Sequence, residues 1–169
     1  MSIIRRPNRR QIGIILNIIA IVLVLGFIFG NSLLDKQESS EVSSNVLEAL
    51  EPVIEPVAEM LTEEPVTEDF MHYLVRKLAH FTEFAVLGCF SALLLLQLCG
   101  TWRTQSFGYL LFGPLFTAVA DEFLQSFMER GPDVRDVVLD FSGAVTGILV
   151  TLLLFSLIRW MMRRLACSP

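Results

Sequence analysis

Eleven charged or amide side chains stand beside apolar stretches between Arg76 and Asp140. They are Arg76, Lys77, His80, Glu83, Asp121, Glu122, Gln125, Arg130, Arg135, Asp136 and Asp140. An imidazole and carboxylates can transfer protons or hold a polar group, and arginines can make bidentate contacts with phosphate or carboxylate. Charged groups at membrane depth are costly, which makes them functional candidates by default. We therefore predict that these residues line a wet, polar ligand-binding site.

The spacing of these residues is helical. Arg76, His80 and Glu83 are separated by four and three residues, so an α-helix would present all three on one face. Two glycines that follow Asp140 indicate that this helix packs closely against another helix. Gly143 and Gly147 form a G-x-x-x-G pattern, which permits close approach of transmembrane helices.

Catalytic and metal-binding patterns are weak in this sequence. His80 and Glu83 form H-x-x-E, which offers one histidine where the zinc motif H-E-x-x-H offers two. Ser126, Ser142 and Thr82 lack the sequence context of a catalytic triad. We therefore expect no metal site and no cofactor, and we favour a non-catalytic site over an enzyme. A structural network of ion pairs that only joins the helices is the alternative.

The elements that carry these residues are long apolar runs. Of the 169 residues 53% are hydrophobic, and the mean hydropathy is +0.59. Runs near or above the roughly 20 residues that cross a bilayer as a helix are Gln11–Gly30, Leu78–Leu98, Phe107–Met128 and Val137–Ile158. The sequence thus predicts an all-α fold, a polytopic membrane bundle of four transmembrane helices.

Charge is distributed unevenly along the chain, whose net charge is -5. All eighteen carboxylates lie between Asp35 and Asp140. Three segments without acids carry the arginines Arg5, Arg6, Arg9, Arg10, Arg103, Arg159, Arg163 and Arg164. Because Lys and Arg in short flanking segments mark the cytoplasmic side, we predict that both termini are cytoplasmic. The polar residues would then face outward.

The predicted organisation has five parts. They are a basic cytoplasmic N-terminus (1–10), a first transmembrane helix (11–30), an acidic extracellular segment (31–76), a three-helix core (77–158) and a basic cytoplasmic tail (159–169). From Val46 the extracellular segment shows a helical apolar period that Pro52 and Pro56 interrupt, which predicts short amphipathic helices. The three cysteines form no CxxC pattern, and we assign no disulfide.

Three stretches resemble the VanZ-like family of bacterial membrane proteins. They are RKLAHFTEFAVLG, DEFLQSF and ERGPDVRDVVLDFSGAVTG, in order and at the family's spacing over about residues 70–158. The chain departs from the family pattern at Phe84, where a tyrosine is usual. The resemblance implies a location in the bacterial plasma membrane. Namesake members reduce susceptibility to glycopeptide antibiotics such as teicoplanin, and the family has no established biochemical activity.

From the residues and the resemblance together, we expect a role in the cell envelope. The protein would modulate how an extracellular ligand meets cell-wall precursors. Expected partners are membrane lipids and a lipid-linked cell-wall precursor or a glycopeptide, with no nucleic acid. Two alternatives stay open: an intramembrane enzyme that acts on a lipid-linked phosphate, and a structural partner subunit of a membrane complex.

Overall fold

The computed structural model describes residues 8–33, 67–99, 104–127 and 133–166. These residues form four helices and no strand: α1 (Arg9–Ser32), α2 (Glu68–Cys99), α3 (Thr104–Gln125) and α4 (Val134–Ala166). Each helix contains a stretch long and apolar enough to cross a membrane. The predicted all-α class with four transmembrane helices is therefore confirmed, and the chain is a multi-pass membrane protein. The short amphipathic helices predicted from Val46 onward fall outside the described residues.

α2 and α4 extend beyond the apolar runs that predict them in the sequence. α2 begins at Glu68, inside the segment 31–76 that the sequence assigns to the exterior, and α4 continues to Ala166, inside the predicted tail. An apolar run marks the part of a helix that crosses hydrocarbon, whereas the helical backbone can continue into the interface. Packing stabilises the added turns of α2, because Met71 and Val75 are only 8% and 5% exposed.

Contacts at both ends of α1 show that it runs antiparallel to α2. Arg10 donates hydrogen bonds to the carbonyl oxygens of Gln97 and Leu98 at the end of α2, at 2.9–3.1 Å. At the other end of α1, Asn31 contacts Glu83 in the first half of α2. We call the end that holds Asn31 and Glu83 the acidic end, and the end that holds Arg10 the basic end.

Glycines bring α2 and α4 into backbone contact, with the two helices parallel. A Cβ atom at Gly143 would overlap the carbonyl oxygen of Phe81, and one at Gly147 would overlap that of Ala85. Gly88 makes the reciprocal contact, because its Cβ would meet the backbone of Ala144. This close approach fixes the register in which α2 and α4 present their polar side chains.

An apolar core packs directly against the polar side chains of the acidic end, on the side that faces the basic end. Residues from all four helices form it: Ile28, Phe84, Leu87, Ala118 and Ala144. A second apolar cluster, in α2, α3 and α4, lies closer to the basic end and includes Leu96, Leu110 and Ile148. Because both clusters are nearly closed to solvent, the polar side chains above them lie on a packed base.

Candidate functional site

Asp121 is the centre of the polar cluster at the acidic end. Its side chain is fully buried. The Ser32 hydroxyl donates to its Oδ1 atom, and Gln125 Nε2, one helical turn further along α3, donates to its Oδ2 atom at 2.9 Å. His80 Nδ1 on α2 lies 3.9 Å from the same Oδ2 atom. α1, α2 and α3 therefore meet at one carboxylate.

Asp140 extends this arrangement to α4. It is 2% exposed, and its Oδ1 atom has no hydrogen-bond partner among the described residues. One ligand atom each from His80, Asp121 and Asp140 lie within 4.8 Å of one another. The structure thus brings together side chains that the sequence distributes over three helices.

Two further contacts tie the acidic end to the start of α4. Lys77 forms an ion pair with Asp136, and its ammonium group also lies 5.2 Å from the centre of the Tyr73 ring. The backbone N–H of Asp133 donates to Glu122 Oε1 at 2.6 Å. Glu122 thereby satisfies a backbone donor just before α4 begins.

Glu83 lies on the same side of α2 as His80, but its partner is Asn31 of α1 rather than Asp121. Asn31 Nδ2 donates to Glu83 Oε1 at 2.9 Å. Sequence reasoning did not find Asn31 or Ser32, which provide the contacts from α1. The available signal was the pair of polar residues directly after the apolar run that ends at Gly30.

The predicted arginines stand apart from the cluster. Arg76 is half-buried and Arg135 is exposed. Within the part of the chain that the structure describes, no ion pair joins either guanidinium group to the carboxylates. Arg130 lies outside the described residues. Among the described residues, Lys77 brings a positive charge into the cluster through its ion pair with Asp136.

A small cavity lies among the side chains of the polar cluster at the acidic end. Its lining includes Lys77, His80, Gln125, Asp136 and Asp140, and its volume is about 10 Å³. A volume on the order of 10–15 Å³ by this measure holds about one water molecule. The space among the described polar residues therefore fits a single water or ion.

A larger cavity lies nearer the basic end, between α1, α2 and α3. It has a volume of about 300 Å³ and a mostly apolar wall that includes Leu25, Leu87, Leu95 and Pro114. We call it the apolar cleft. Thr117 also lines it, one helical turn before Asp121 on α3. The apolar cleft and the polar cluster are thus consecutive along one helix.

The chemistry available at the acidic end is that of an acidic cluster with one imidazole. Among the described residues, this end holds the carboxyl groups of Asp121, Glu122, Asp136 and Asp140 together with one lysine, Lys77, which pairs with Asp136. Such a group attracts cations or protons more readily than anions. Of the hydroxyl groups on these helices, that of Ser32 is fully buried and that of Ser142 donates to the carbonyl oxygen of Leu139 in its own helix.

Comparison with known proteins gives a match to a protein family. A family model described as VanZ/LLP1 matches residues 16–156, which is most of the chain. No curated protein and no solved structure matches. The matched range includes most of α1 and all of α2 and α3, together with the polar half of α4.

Proposed function

Since the chain belongs to the VanZ/LLP1 family, we propose that it acts in the bacterial cell envelope and engages a lipid-linked cell-wall precursor. A segment of the apolar chain of that lipid lies in the apolar cleft, and the polar group of the lipid lies at the acidic end. In this position the protein modulates how an extracellular ligand such as a glycopeptide meets the precursor.

One observation carries this proposal: the apolar cleft and the polar cluster are adjacent. Thr117 in the wall of the cleft and Asp121 in the cluster are a single turn apart on α3. A volume near 300 Å³ is at the lower end of the range for ligand sites, roughly 300–1,000 Å³. An amphipathic lipid matches this order of surfaces, because its chain requires an apolar wall and its head requires polar partners.

Cationic side chains at the acidic end complement a phosphate. Arg76 lies one turn before His80 on α2 and is half-buried. Arg135 is exposed at the start of α4. Arginine binds phosphate in a bidentate manner. The phosphate would therefore lie above the acidic cluster, near the rim, rather than inside the water-sized cavity.

The outward orientation of the acidic end is part of the same proposal. Its support is the concentration of arginines at the opposite end, where α1 starts with Arg9 and Arg10 and the last turn of α4 contains Arg163 and Arg164. Basic residues next to transmembrane helices favour the cytoplasmic side. The precursor's polar group would then be exposed where a glycopeptide acts.

A glycine in the apolar cleft provides the test. Gly113 lines the cleft, and a Cβ atom there would meet no atom within 4 Å. Gly113→Leu should therefore fill the cleft without disturbing helix packing. We expect the variant to reduce the cross-linking of a photoreactive polyprenyl-phosphate lipid in nanodiscs at least threefold. Cells that express it should lose any protection against teicoplanin that the unaltered chain confers.

Gly108→Leu is the matched control, because Gly108 lies on the same helix, is equally open and does not line the cleft. This variant should cross-link as well as the unaltered protein. Equal yields for the two variants, or an unaltered protein that cross-links no better than an unrelated membrane protein, would contradict the proposal.

A further inference from the structure

We infer that His80, Asp121 and Asp140 form a binding site for a divalent transition-metal ion of the zinc type. The three residues lie on α2, α3 and α4, so the ion would join three transmembrane helices at the acidic end. The inference rests on side chains alone and does not depend on lipid binding in the apolar cleft.

The distances match those of a metal site that needs only small side-chain adjustments. The three candidate ligand atoms lie within 4.8 Å of one another. In a tetrahedral zinc site with bonds of about 2.1 Å, neighbouring ligand atoms are roughly 3.4 Å apart. The distance of 3.9 Å from His80 Nδ1 to Asp121 Oδ2 is longer than a hydrogen bond and close to that separation.

Asp140 gives independent support for a cation site. A carboxylate oxygen with no hydrogen bond is costly to bury, and Asp140 Oδ1 has none from the described residues although the residue is 2% exposed. Asp140 also lines the small cavity together with His80. An ion in that cavity would provide Asp140 Oδ1 with the partner that the described residues do not.

The charge balance of the acidic end supports the same conclusion. Asp121, Glu122, Asp136 and Asp140 are carboxylates, and Lys77, the lysine that the structure describes among them, is engaged by Asp136. Glu83 adds a further carboxylate on α2, bound by the neutral Asn31. A divalent ion offsets two of these negative charges, and the cavity of about 10 Å³ has room for one ion.

The partners of Asp121 are those expected around a metal ligand. Hydrogen bonds from Ser32 and Gln125 hold both of its oxygens in place. Groups that orient a ligand in this way strengthen metal binding. One imidazole and two carboxylates suit zinc or a related ion better than calcium, which takes six to eight oxygens. Three protein ligands would leave one position open for a water molecule.

The test is zinc binding by the purified full chain in detergent. After treatment with a chelator and gel filtration, the unaltered protein should bind one Zn²⁺ per chain, measured by calorimetry and by elemental analysis. His80→Ala and Asp140→Asn should each weaken binding at least tenfold. His72→Ala is the matched control, because His72 lies on the same helix about 12 Å away. This variant should bind zinc like the unaltered protein.

Co²⁺ in place of Zn²⁺ provides a second measurement on the unaltered chain, so the result does not depend on whether the variants fold. Bound Co²⁺ should give a visible absorption band that saturates at one equivalent and disappears on addition of Zn²⁺. Less than a fifth of an equivalent of bound zinc, no cobalt band, or equal loss of binding in His72→Ala would overturn the inference. Gly113→Leu should leave zinc binding unchanged, which separates this result from the test of lipid binding.

Discussion

At the residue scale, a fully buried carboxylate depends on the polar side chains around it. Asp121 is accompanied by Ser32 of α1, Gln125 of its own helix and His80 of α2. A buried acid without such partners would be strongly destabilising. The polar cluster therefore holds the helices together and at the same time provides the candidate binding site.

Ser32→Ala tests the contact between α1 and α3. The change removes a donor to a buried carboxylate and should reduce the free energy of unfolding by about 1–3 kcal/mol. Denaturant titration in detergent, followed by circular dichroism, measures the effect. Ser142→Ala is the control, because Ser142 is exposed and its hydroxyl donates to the carbonyl of Leu139 in the same helix. It should change stability by less than about 0.5 kcal/mol. Equal effects of the two substitutions would show that Ser32 does not stabilise Asp121.

The sequence predicted the ionisable members of the cluster better than their neutral partners. Charge in an apolar context identifies His80, Asp121 and Asp140, because few other reasons exist for such residues at that depth. Ser32 carries no such signal, since a hydroxyl group at the end of a transmembrane run is common. Its pairing with Asp121 joins positions 89 apart in the chain, which residue spacing within one helix cannot predict.

At the element scale, the parallel pair α2 and α4 positions the site. Gly88 on α2 and Gly143 and Gly147 on α4 remove the side chains that would keep the two backbones apart. The Cys89 thiol adds a contact to the carbonyl oxygen of Gly147 at 3.4 Å.

The same close packing positions two residues of the site. His80 lies next to Phe81, which packs on Gly143, and Asp140 lies one turn before Gly143. The close packing therefore sets the distance between His80 and Asp140.

Gly147→Ala tests this dependence on close packing. The new methyl group would overlap the Ala85 carbonyl, so the helices must separate, and we expect a loss of about 1–3 kcal/mol in unfolding free energy. Gly26→Ala should act in the opposite direction. Gly26 lies inside α1 with open space around it, and alanine favours a helix by up to about 1 kcal/mol. Thermal unfolding in detergent distinguishes the two signs. A neutral Gly147→Ala would mean that α2 and α4 are not in backbone contact.

Apolar runs in the sequence predicted that four helices exist but not which helices touch. The G-x-x-x-G pattern indicates that a helix has a close partner without naming it. α4 packs most extensively on α2 rather than on α3, its neighbour in sequence. Choosing between these partners requires knowledge of both surfaces, including Gly88, whose place opposite Ala144 is evident only in the folded chain.

At the scale of the whole molecule, the two ends of the bundle carry charged residues of different sign. Carboxylates collect where α1 and α3 end, whereas the start of α1 and the end of α4 carry arginines. Arg10 also stabilises the basic end directly, since its guanidinium group caps carbonyl oxygens at the C-terminal end of α2. A positive charge there interacts favourably with the helix dipole. The same arginines thus stabilise a helix end and, by our proposal, set the orientation of the bundle in the membrane.

The orientation predicts which cysteines and which introduced thiols are accessible from outside the cell. Cys167 is the native thiol in the basic tail. In a chain with Cys89→Ala and Cys99→Ala, a membrane-impermeant maleimide should label Cys167 only after the cells are lysed. With Cys167→Ala in addition, Ser44→Cys in the acidic segment should be labelled in intact cells. Arginines next to membrane helices resist translocation, whereas the carboxylates of residues 31–70 do not. Labelling of Cys167 in intact cells would place the basic end outside. The polar cluster would then face the cytoplasm, where an extracellular ligand cannot reach it.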